Sequence, residues 1–139
     1  MHFHHAVSTP DVEITPPSDP LFAGSIAPLT LTCSISINPA TDTDVVITDI
    51  DVTWLRGSTR LSDSDARVTI SSVTGSRPSF TSILTLDPLS TADNTTFSCR
   101  ARARPPPNVP SFVVASEMGE GMMPIVVYRE YYNYAYQIV

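Results

Sequence analysis

Two cysteines and one tryptophan constrain this chain more than any other feature. Cys33 and Cys99 each lie in a run that alternates apolar with polar residues, which is typical of a strand with one buried face. A third alternating run, residues 50–54, ends on Trp54. The apolar residues in phase with the cysteines are Leu29, Leu31, Ile35 and Ile37 in the first run and Phe97, Ala101 and Ala103 in the second. Two sheets stapled through one common core are therefore predicted.

The cysteine count also indicates a cellular compartment. Two cysteines in a chain of 139 residues fit a single disulfide, which forms in oxidising surroundings, and two buried thiols are the alternative. A disulfide that closes a loop as long as the one between Cys33 and Cys99 would stabilise the fold by about 4 kcal/mol. The chain length suits one domain with flanking segments.

Composition excludes several classes of function. The net charge of −6 disfavours nucleic-acid binding, which requires an excess of Lys and Arg. Thirteen prolines, frequent β-branched residues and the lack of a helical apolar period favour short strands over helices. No stretch approaches the roughly 18 apolar residues of a membrane span. An all-β domain with no nucleic-acid partner and no span of its own is therefore expected.

The sequence offers few groups for catalysis or metal binding. All three histidines lie within residues 2–5, where a tag-like or unstructured leader is favoured over a metal site. The predicted domain therefore has no histidine for a catalytic Ser-His-Asp or Cys-His arrangement. The paired aspartates at 42 and 44 and at 63 and 65 lack the EF-hand pattern, so solvated loop acids are favoured over calcium ligands. No catalytic residue, metal or cofactor is expected.

The order Cys33, Trp54, Cys99 resembles the immunoglobulin fold, in which a tryptophan packs on an inter-sheet disulfide. The stretch Leu84-x-Leu86-x-x-Leu89-x-x-x-Asp93-x-x-x-Phe97-x-Cys99 is similar, position by position, to the segment that joins strands E and F in that superfamily. The resemblance implies an all-β, two-sheet antiparallel Greek-key sandwich with one inter-sheet disulfide, between Cys33 and Cys99. The core residues that it implies are Trp54, Leu84, Leu86 and Phe97.

The resemblance covers residues 11–128 and leaves a leader or tag-like segment at 1–10 and a tyrosine-rich tail or linker at 129–139. The predicted strands, with the family's letters, are A at 12–15 and 21–25, B at 29–37, C at 49–56, C′ near Leu61, D at 67–71, E at 80–86, F at 97–104 and G at 122–127. The short spacing from Trp54 to Arg67 leaves no room for strand C″ and is similar to that of intermediate-set domains. Residues 75–78 are predicted to form the D–E turn, and Gly119-Glu120-Gly121 resembles the bulge that opens strand G in variable-type domains.

Two long loops are predicted at one end of the sandwich. One spans residues 39–48 between strands B and C, where a recognition loop and solvated filler are equally favoured. The other spans 105–117 between strands F and G and exposes four apolar residues, Val109, Phe112, Val113 and Val114. The alternative for this second loop is that residues 112–115 already form strand G.

The E–F corner carries two further features that the resemblance interprets. The family's corner aspartate commonly pairs with an arginine at the start of strand D, which implies a structural salt bridge between Asp93 and Arg67. Phe97 stands where the family has a tyrosine, so the hydroxyl bond of the tyrosine corner cannot form. Asn94-Thr95-Thr96 is a sequon for N-glycosylation, and a glycan on Asn94 would keep this end from binding a partner.

Three arginines alternate along strand F, out of phase with Cys99, and should leave by the outer face of the G-F-C sheet: Arg100, Arg102 and Arg104. Asp49 and Asp51 share the outward phase of strand C. Cross-strand charge pairs, each contributing about 0.2–1 kcal/mol, and a patch that faces a ligand are compatible readings of this pattern. As a hypothesis, Arg102 and Arg104 orient a partner whose apolar contacts are Val109, Phe112, Val113 and Val114.

The resemblance implies a non-catalytic recognition module from the extracellular part of a single-pass cell-surface protein, of which this chain would be a piece. The first expected host class is a receptor, including receptor tyrosine kinases, whose kinase domain would lie elsewhere. A homophilic adhesion domain and a structural spacer in a tandem immunoglobulin array are the alternatives. The expected partner is a protein or a second copy of the chain, with an anionic glycan as a further candidate.

Overall fold

The computed structural model describes residues 5–7, 9–24, 28–37, 49–76, 78–104, 114–116 and 118–129. In chain order, the strands in these ranges are β1 His5–Val7, β2 Asp11–Thr15, β3 Leu21–Phe22, β4 Leu29–Ser36, β5 Asp49–Arg56, β6 Thr59–Arg60, β7 Val68–Ile70, β8 Thr74–Ser76, β9 Ser79–Leu86, β10 Thr96–Arg104, β11 Val114–Ser116, β12 Gly119–Pro124 and β13 Val127–Tyr128. A 3₁₀ turn, Thr91–Asp93, lies between β9 and β10.

The main strands form two antiparallel sheets. One has the order β2-β4-β9-β7, with β8 also paired to β9, and corresponds to strands A, B, E and D. The other has the order β12-β10-β5-β6 and corresponds to strands G, F, C and C′. Two short parallel pairs, β1 with β11 and β3 with β13, complete the described pairing. The predicted two-sheet antiparallel sandwich is confirmed.

The disulfide joins the middle strands of the two sheets. Along β4, Leu29, Leu31, Cys33 and Ile35 are buried, while the residues between them are more exposed, because successive side chains point to opposite faces. Cys33 is bonded to Cys99 on β10, at a sequence separation of 66. The expected disulfide is confirmed, and the loop length corresponds to about 4 kcal/mol of stabilisation in the chain-entropy model.

The four predicted core residues, Trp54, Leu84, Leu86 and Phe97, are all buried. The indole also makes a polar contact that the sequence pattern does not reveal: Trp54 Nε1 donates a hydrogen bond to Ser82 Oγ at 3.0 Å. Ser82 lies on β9 and is itself buried, so this hydrogen bond links the two sheets through the core. It satisfies an N–H group that would cost about 1–3 kcal/mol if buried without a partner.

Gly119 and Gly121 allow strand β2 to approach β12 closely. A Cβ atom on Gly121 would lie 2.7 Å from the backbone oxygen of Val12, and one on Gly119 would collide with the backbone oxygen of Pro10. The pairing of β12 with β10 runs residue for residue, so the predicted Gly-x-Gly bulge is wrong. The two glycines instead provide the space in which the edge strand crosses.

Two short strands differ from the sequence prediction. Val114, which the sequence predicts in an exposed loop, lies in β11, because its backbone pairs in parallel with His5 of the predicted leader. The strand that pairs with β10 as strand G is β12, which begins at Gly119. Gly75 belongs to strand β8 rather than to the predicted turn, and its φ of +104° lets β8 fold tightly back onto β9.

Candidate binding face

The outward side chains of β12, β10, β5 and β6 form one continuous surface, which we call the outer face. Cys99 and Trp54 are paired in register and point inward, so their neighbours along both strands point outward. The outer face consists of Glu120 and Met122 on β12, Ser98, Arg100 and Arg102 on β10, Asp51, Thr53 and Leu55 on β5, and Arg60 on β6. Strand register arranges these side chains in rows that run across the sheet.

Opposite charges face each other at the loop end of the outer face. Arg102 is paired in register with Asp51, and the backbone of Arg104 is paired with that of Asp49. Residues directly opposite on neighbouring strands have Cβ atoms about 5 Å apart. This is the arrangement of acids and arginines that strand phase predicts. The side chain of Arg102 is exposed to solvent.

Arg100 pairs with a residue that the sequence analysis did not single out. Its Nε atom donates a hydrogen bond to Glu120 Oε2 at 2.6 Å. The residue opposite Arg100 on β5 is Thr53, which offers no charge, whereas Glu120 stands opposite it on β12. The sequence shows Glu120 alternating with two glycines, which gives it the outward phase. Pairing it with Arg100, however, requires the register of β12 against β10.

The row nearer the E–F corner contains two apolar residues, Met122 and Leu55, beside Ser98 and Arg60, although the strand phase predicts polar residues. Leu55 and Ser98 point outward, yet both are buried. Met122, which is paired with Ser98, is 62% exposed. The outer face therefore combines a large exposed apolar side chain with exposed arginine and paired charges.

Asp93 organises the corner at the other end of strand β10. Its carboxylate is fully buried and accepts hydrogen bonds from Arg67 Nη1 at 2.9 Å and Arg67 Nη2 at 3.2 Å. It also accepts from Arg56 Nη1 at 3.0 Å and from the backbone N–H of Ser90 at 2.9 Å. Arg67 Nη1 donates in addition to the backbone oxygen of Pro88 at 2.8 Å. The carboxylate is thus fully occupied in holding three segments together.

The second arginine at this corner was missed by sequence reasoning. Arg56 is paired in register with the buried Phe97 and so stands in the inward phase of β5, where arginine is unusual. An arginine in the inward phase of a strand is a signal that could have predicted this contact, because a guanidinium placed there is ordinarily paired with an anion. Arg67, by contrast, makes the contact with Asp93 that the family resemblance implies.

The ionic contacts shift the pKa values of the corner residues in opposite directions. Burial raises the pKa of the Asp93 carboxyl, but hydrogen bonds from Arg67, Ser90 and Arg56, together with the charge of Arg67, hold that pKa below its ordinary value. The pKa of Arg67 is raised, chiefly by its hydrogen bond to Asp93. Asp93 and Arg67 are therefore held in their charged forms at neutral pH, and the cluster is suited to stabilise the fold rather than to transfer protons.

No group of three or more His, Cys, Asp or Glu side chains that could hold a metal ion occurs within the described ranges. In the same part of the chain, none of the helical structure is long and apolar enough to cross a membrane.

The family model described as the immunoglobulin domain matches residues 27–112, which is more than half of the chain. This chain belongs to the immunoglobulin family. No curated protein matches this immunoglobulin domain.

Solved structures with similar folds include two that contain immunoglobulin domains. One is the crystal structure of Dpr2 Ig1-Ig2 in complex with DIP-Theta Ig1-Ig3, which matches at 16% identity and a TM-score of 0.51 over 86% of this chain and 32% of that chain. The other is the solution structure of the fourth constant immunoglobulin domain of nurse shark IgNAR, at 13% identity and a TM-score of 0.44 over 84% and 95%. The immunoglobulin domain described here therefore spans about a third of the chain matched in the complex.

The predicted partner-binding residues of this immunoglobulin domain divide into two groups. Arg102 and the backbone of Arg104 lie together on strand β10, next to the aspartates of β5. Of the four apolar residues, Val114 lies in β11, whereas Val109, Phe112 and Val113 lie outside the described residues, as does the predicted B–C loop at 39–48. Met122 and Glu120 were not predicted as contact residues, but they share the outer face with Arg102.

Proposed function

We propose that this immunoglobulin domain, residues 11–128, is an extracellular, non-catalytic recognition module that binds a protein partner through its outer face. The observation that carries the proposal is that Met122 and Arg102 are both exposed on one continuous sheet surface, where Met122 is paired with Ser98, four residues before Arg102 on β10. The adjoining loops, with Val109, Phe112 and Val113, extend this surface in the proposal.

Met122 supplies an apolar contact in this proposal. A methionine side chain that is 62% exposed gives up most of its remaining contact with water when a partner covers it. Burial of a side chain of this size contributes on the order of 1–2 kcal/mol. Methionine and arginine are also enriched in protein–protein interfaces relative to the rest of the surface.

In this proposal the charged residues fix the orientation of the partner on the outer face. Arg102 is exposed, whereas the guanidinium of Arg100 is already bonded to Glu120. A partner that presents a carboxylate opposite Arg102 would gain a directed charge-assisted hydrogen bond. An anionic glycan is the weaker candidate, because Asp51 and Glu120 flank the arginines and the chain carries a net charge of −6.

The buried disulfide supports an extracellular location, because disulfides of this kind persist in oxidising compartments. We propose that the domain belongs to the ectodomain of a single-pass cell-surface protein. The similar fold in the complex of Dpr2 with DIP-Theta supports a protein as the partner, since that complex joins Ig1-Ig2 of Dpr2 with Ig1-Ig3 of DIP-Theta.

Self-association is the second candidate function. The outer face carries both signs of charge, with Arg100 and Arg102 beside Glu120 and Asp51. A surface of this kind can complement itself across a two-fold axis, as isologous interfaces require. Homophilic adhesion would follow if two copies on opposing cells met in this way.

The test uses the secreted, disulfide-bonded chain as a multivalent probe against an array of purified cell-surface ectodomains that includes the chain itself. Three variants are compared with the parent on every ectodomain that binds: Met122→Ala, Arg102→Glu and the double variant. Each substitution should weaken binding, and the double variant should lose at least about 10-fold in affinity, equivalent to about 1.4 kcal/mol. Sedimentation at high concentration separates self-association from binding to another protein.

Two control variants match these substitutions away from the outer face. Ile83→Ala removes an exposed apolar side chain from β9, and Glu13→Arg reverses a charge on β2, and both residues lie on the other sheet. Both should bind like the parent chain. A partner whose affinity falls with Glu13→Arg but not with Met122→Ala or Arg102→Glu would refute the assignment of the outer face.

A further inference from the structure

We propose that Asn94 carries an N-linked oligosaccharide. The chain has four asparagines, and Asn94 alone stands in a sequon, since a proline follows Asn38 and no hydroxyl residue stands two places after Asn108 or Asn133. The proposal rests on the extracellular location proposed above, because the modification takes place in the secretory pathway. It adds a modification site that the partner-binding proposal does not require.

The backbone presents Asn94 at the surface. Asn94 ends the 3₁₀ turn, where its N–H donates to the backbone oxygen of Thr91 at 3.1 Å, and its side chain is exposed. The next N–H, of Thr95, donates to the backbone oxygen of Asp93 at 2.9 Å. The sequon thus projects from a firmly held corner, and its third residue, Thr96, is the first residue of β10.

One of the two polar atoms of the Asn94 side-chain amide is held by a hydrogen bond. Its Oδ1 atom accepts a hydrogen bond from the backbone N–H of Val127 at 3.2 Å. Among the residues that the structure describes, none accepts a hydrogen bond from the Nδ2 atom. Glycosylation occurs at Nδ2 and leaves Oδ1 an amide oxygen, so the contact with strand β13 can persist in the modified protein.

The group transfer is balanced without any redox partner. The donor is an oligosaccharide joined through its anomeric carbon to a lipid pyrophosphate. The bond from that carbon to the pyrophosphate oxygen breaks, and a new bond forms from the carbon to Asn94 Nδ2. The pyrophosphate leaves with the electron pair, and Nδ2 loses one proton.

The site lies at the far end of β10 from the predicted loops. Asn94 precedes Arg104 by ten residues of nearly continuous strand, which corresponds to roughly 30 Å at the rise of an antiparallel strand. An oligosaccharide on Asn94 would therefore cover the E–F corner and leave Arg102 at the loop end of the outer face open, whereas Met122, which is paired with Ser98, lies nearer to it.

The test expresses the whole chain behind a secretion signal in cultured animal cells, with the medium and the cell contents both collected. The measurement is the intact mass before and after digestion with an amidase that removes N-linked glycans. The parent chain should carry an oligosaccharide that the amidase removes, leaving aspartate at position 94. Thr96→Ser keeps the sequon and should remain glycosylated, whereas Thr96→Ala and Asn94→Gln should have the mass of the bare polypeptide.

The two Thr96 variants are a matched pair, because both retain Asn94 and its hydrogen bond to Val127. The proposal is supported if the parent and Thr96→Ser are glycosylated and Thr96→Ala is not. A variant that folds poorly is still measured, because chain that stays inside the cells is collected as well as the medium. A parent chain with an oxidised Cys33–Cys99 bond and no glycan overturns the glycosylation proposal but leaves the extracellular function intact. Glycosylated Thr96→Ala also overturns it, and a parent chain that enters the lumen but keeps both cysteines as thiols refutes the extracellular function.

Discussion

Replacement of Asp93 by asparagine should destabilise the domain by about 2–4 kcal/mol at neutral pH. Asparagine preserves the volume of the side chain but removes the charge and presents an NH₂ group where the carboxylate accepted hydrogen bonds. Arg56, Arg67 and the Ser90 N–H together direct four such bonds at Asp93. At least one of these donors must then face another donor.

The size of the expected loss in stability follows from the burial of the Asp93 side chain. Hydrogen bonds to charged groups contribute about 1.5–3 kcal/mol each, and removal of one partner from a buried ion pair costs about 3–5 kcal/mol. The Asp93 side chain is fully buried, whereas the side chains of Arg56 and Arg67 are 22% and 24% exposed. Because water can partly solvate the two released guanidinium groups, the expected loss lies below the full cost of an orphaned buried charge.

The destabilisation should depend on pH with a defined sign. The pKa of Asp93 is lower in the folded protein than in the unfolded chain, where an aspartate has a pKa near 3.9. The charged carboxylate therefore contributes its full stabilisation above about pH 4 and loses it as the pH falls through the lowered pKa of the folded state. The difference in stability between the parent and Asp93→Asn should shrink below about pH 4.

Urea denaturation of the oxidised protein at neutral and acid pH, followed by tryptophan fluorescence, measures this difference. The parent, Asp93→Asn and a control, Asp19→Asn, are compared, and the control alters an exposed aspartate. The control should change stability by less than about 0.5 kcal/mol. A loss below about 1 kcal/mol in Asp93→Asn, or a loss that stays constant from neutral to acid pH, would contradict the assignment of Asp93 as a buried, doubly paired carboxylate.

Three further predictions concern other contacts. Ser82→Ala should cost about 1–3 kcal/mol by leaving Trp54 Nε1 unpartnered, and in the Trp54→Phe background the same substitution should cost clearly less in urea denaturation. Gly121→Ala should destabilise by about 1–3 kcal/mol in thermal unfolding, because its Cβ would lie 2.7 Å from the Val12 backbone oxygen, and an unchanged midpoint would contradict this close approach. A double-mutant cycle of Arg100→Ala and Glu120→Ala should give a coupling below about 1 kcal/mol, since the side chains are 43% and 33% exposed; a value above about 2 kcal/mol would show that the pair is more sheltered than described.

The long strands could be predicted because their alternation is local. The predicted strand C at 49–56 coincides with β5, and the predicted strand B at 29–37 differs from β4 by one residue. The short strands β1, β8 and β11 could not, since three residues carry too little periodicity and form strands only where a neighbour offers backbone groups. The presence of only two cysteines left Cys33 and Cys99 a single intramolecular pairing.

The candidate face could be predicted only in part. The outward phase of Arg102 and its position opposite Asp51 follow from alternation in two strands that pair through the sandwich. Phase does not predict that Leu55 and Ser98 are buried on an outward face, because their burial depends on the side chains around them on neighbouring strands. Nor does it reveal Met122 as a neighbour of Ser98, since that requires the register of β12.

The sequence by itself determined which side of each long strand is buried, which sulfurs can meet and which family the pattern belongs to. The tertiary structure decided which distant groups touch: Arg56 reaches Asp93 across 37 positions, and Trp54 bonds to Ser82 in the opposite sheet. The reason is that the side of a strand that is buried alternates every two residues, so a short stretch of sequence is enough to predict it. Contacts between segments instead depend on register, on strand crossings such as that of β2 over Gly121, and on the close packing of the two sheets.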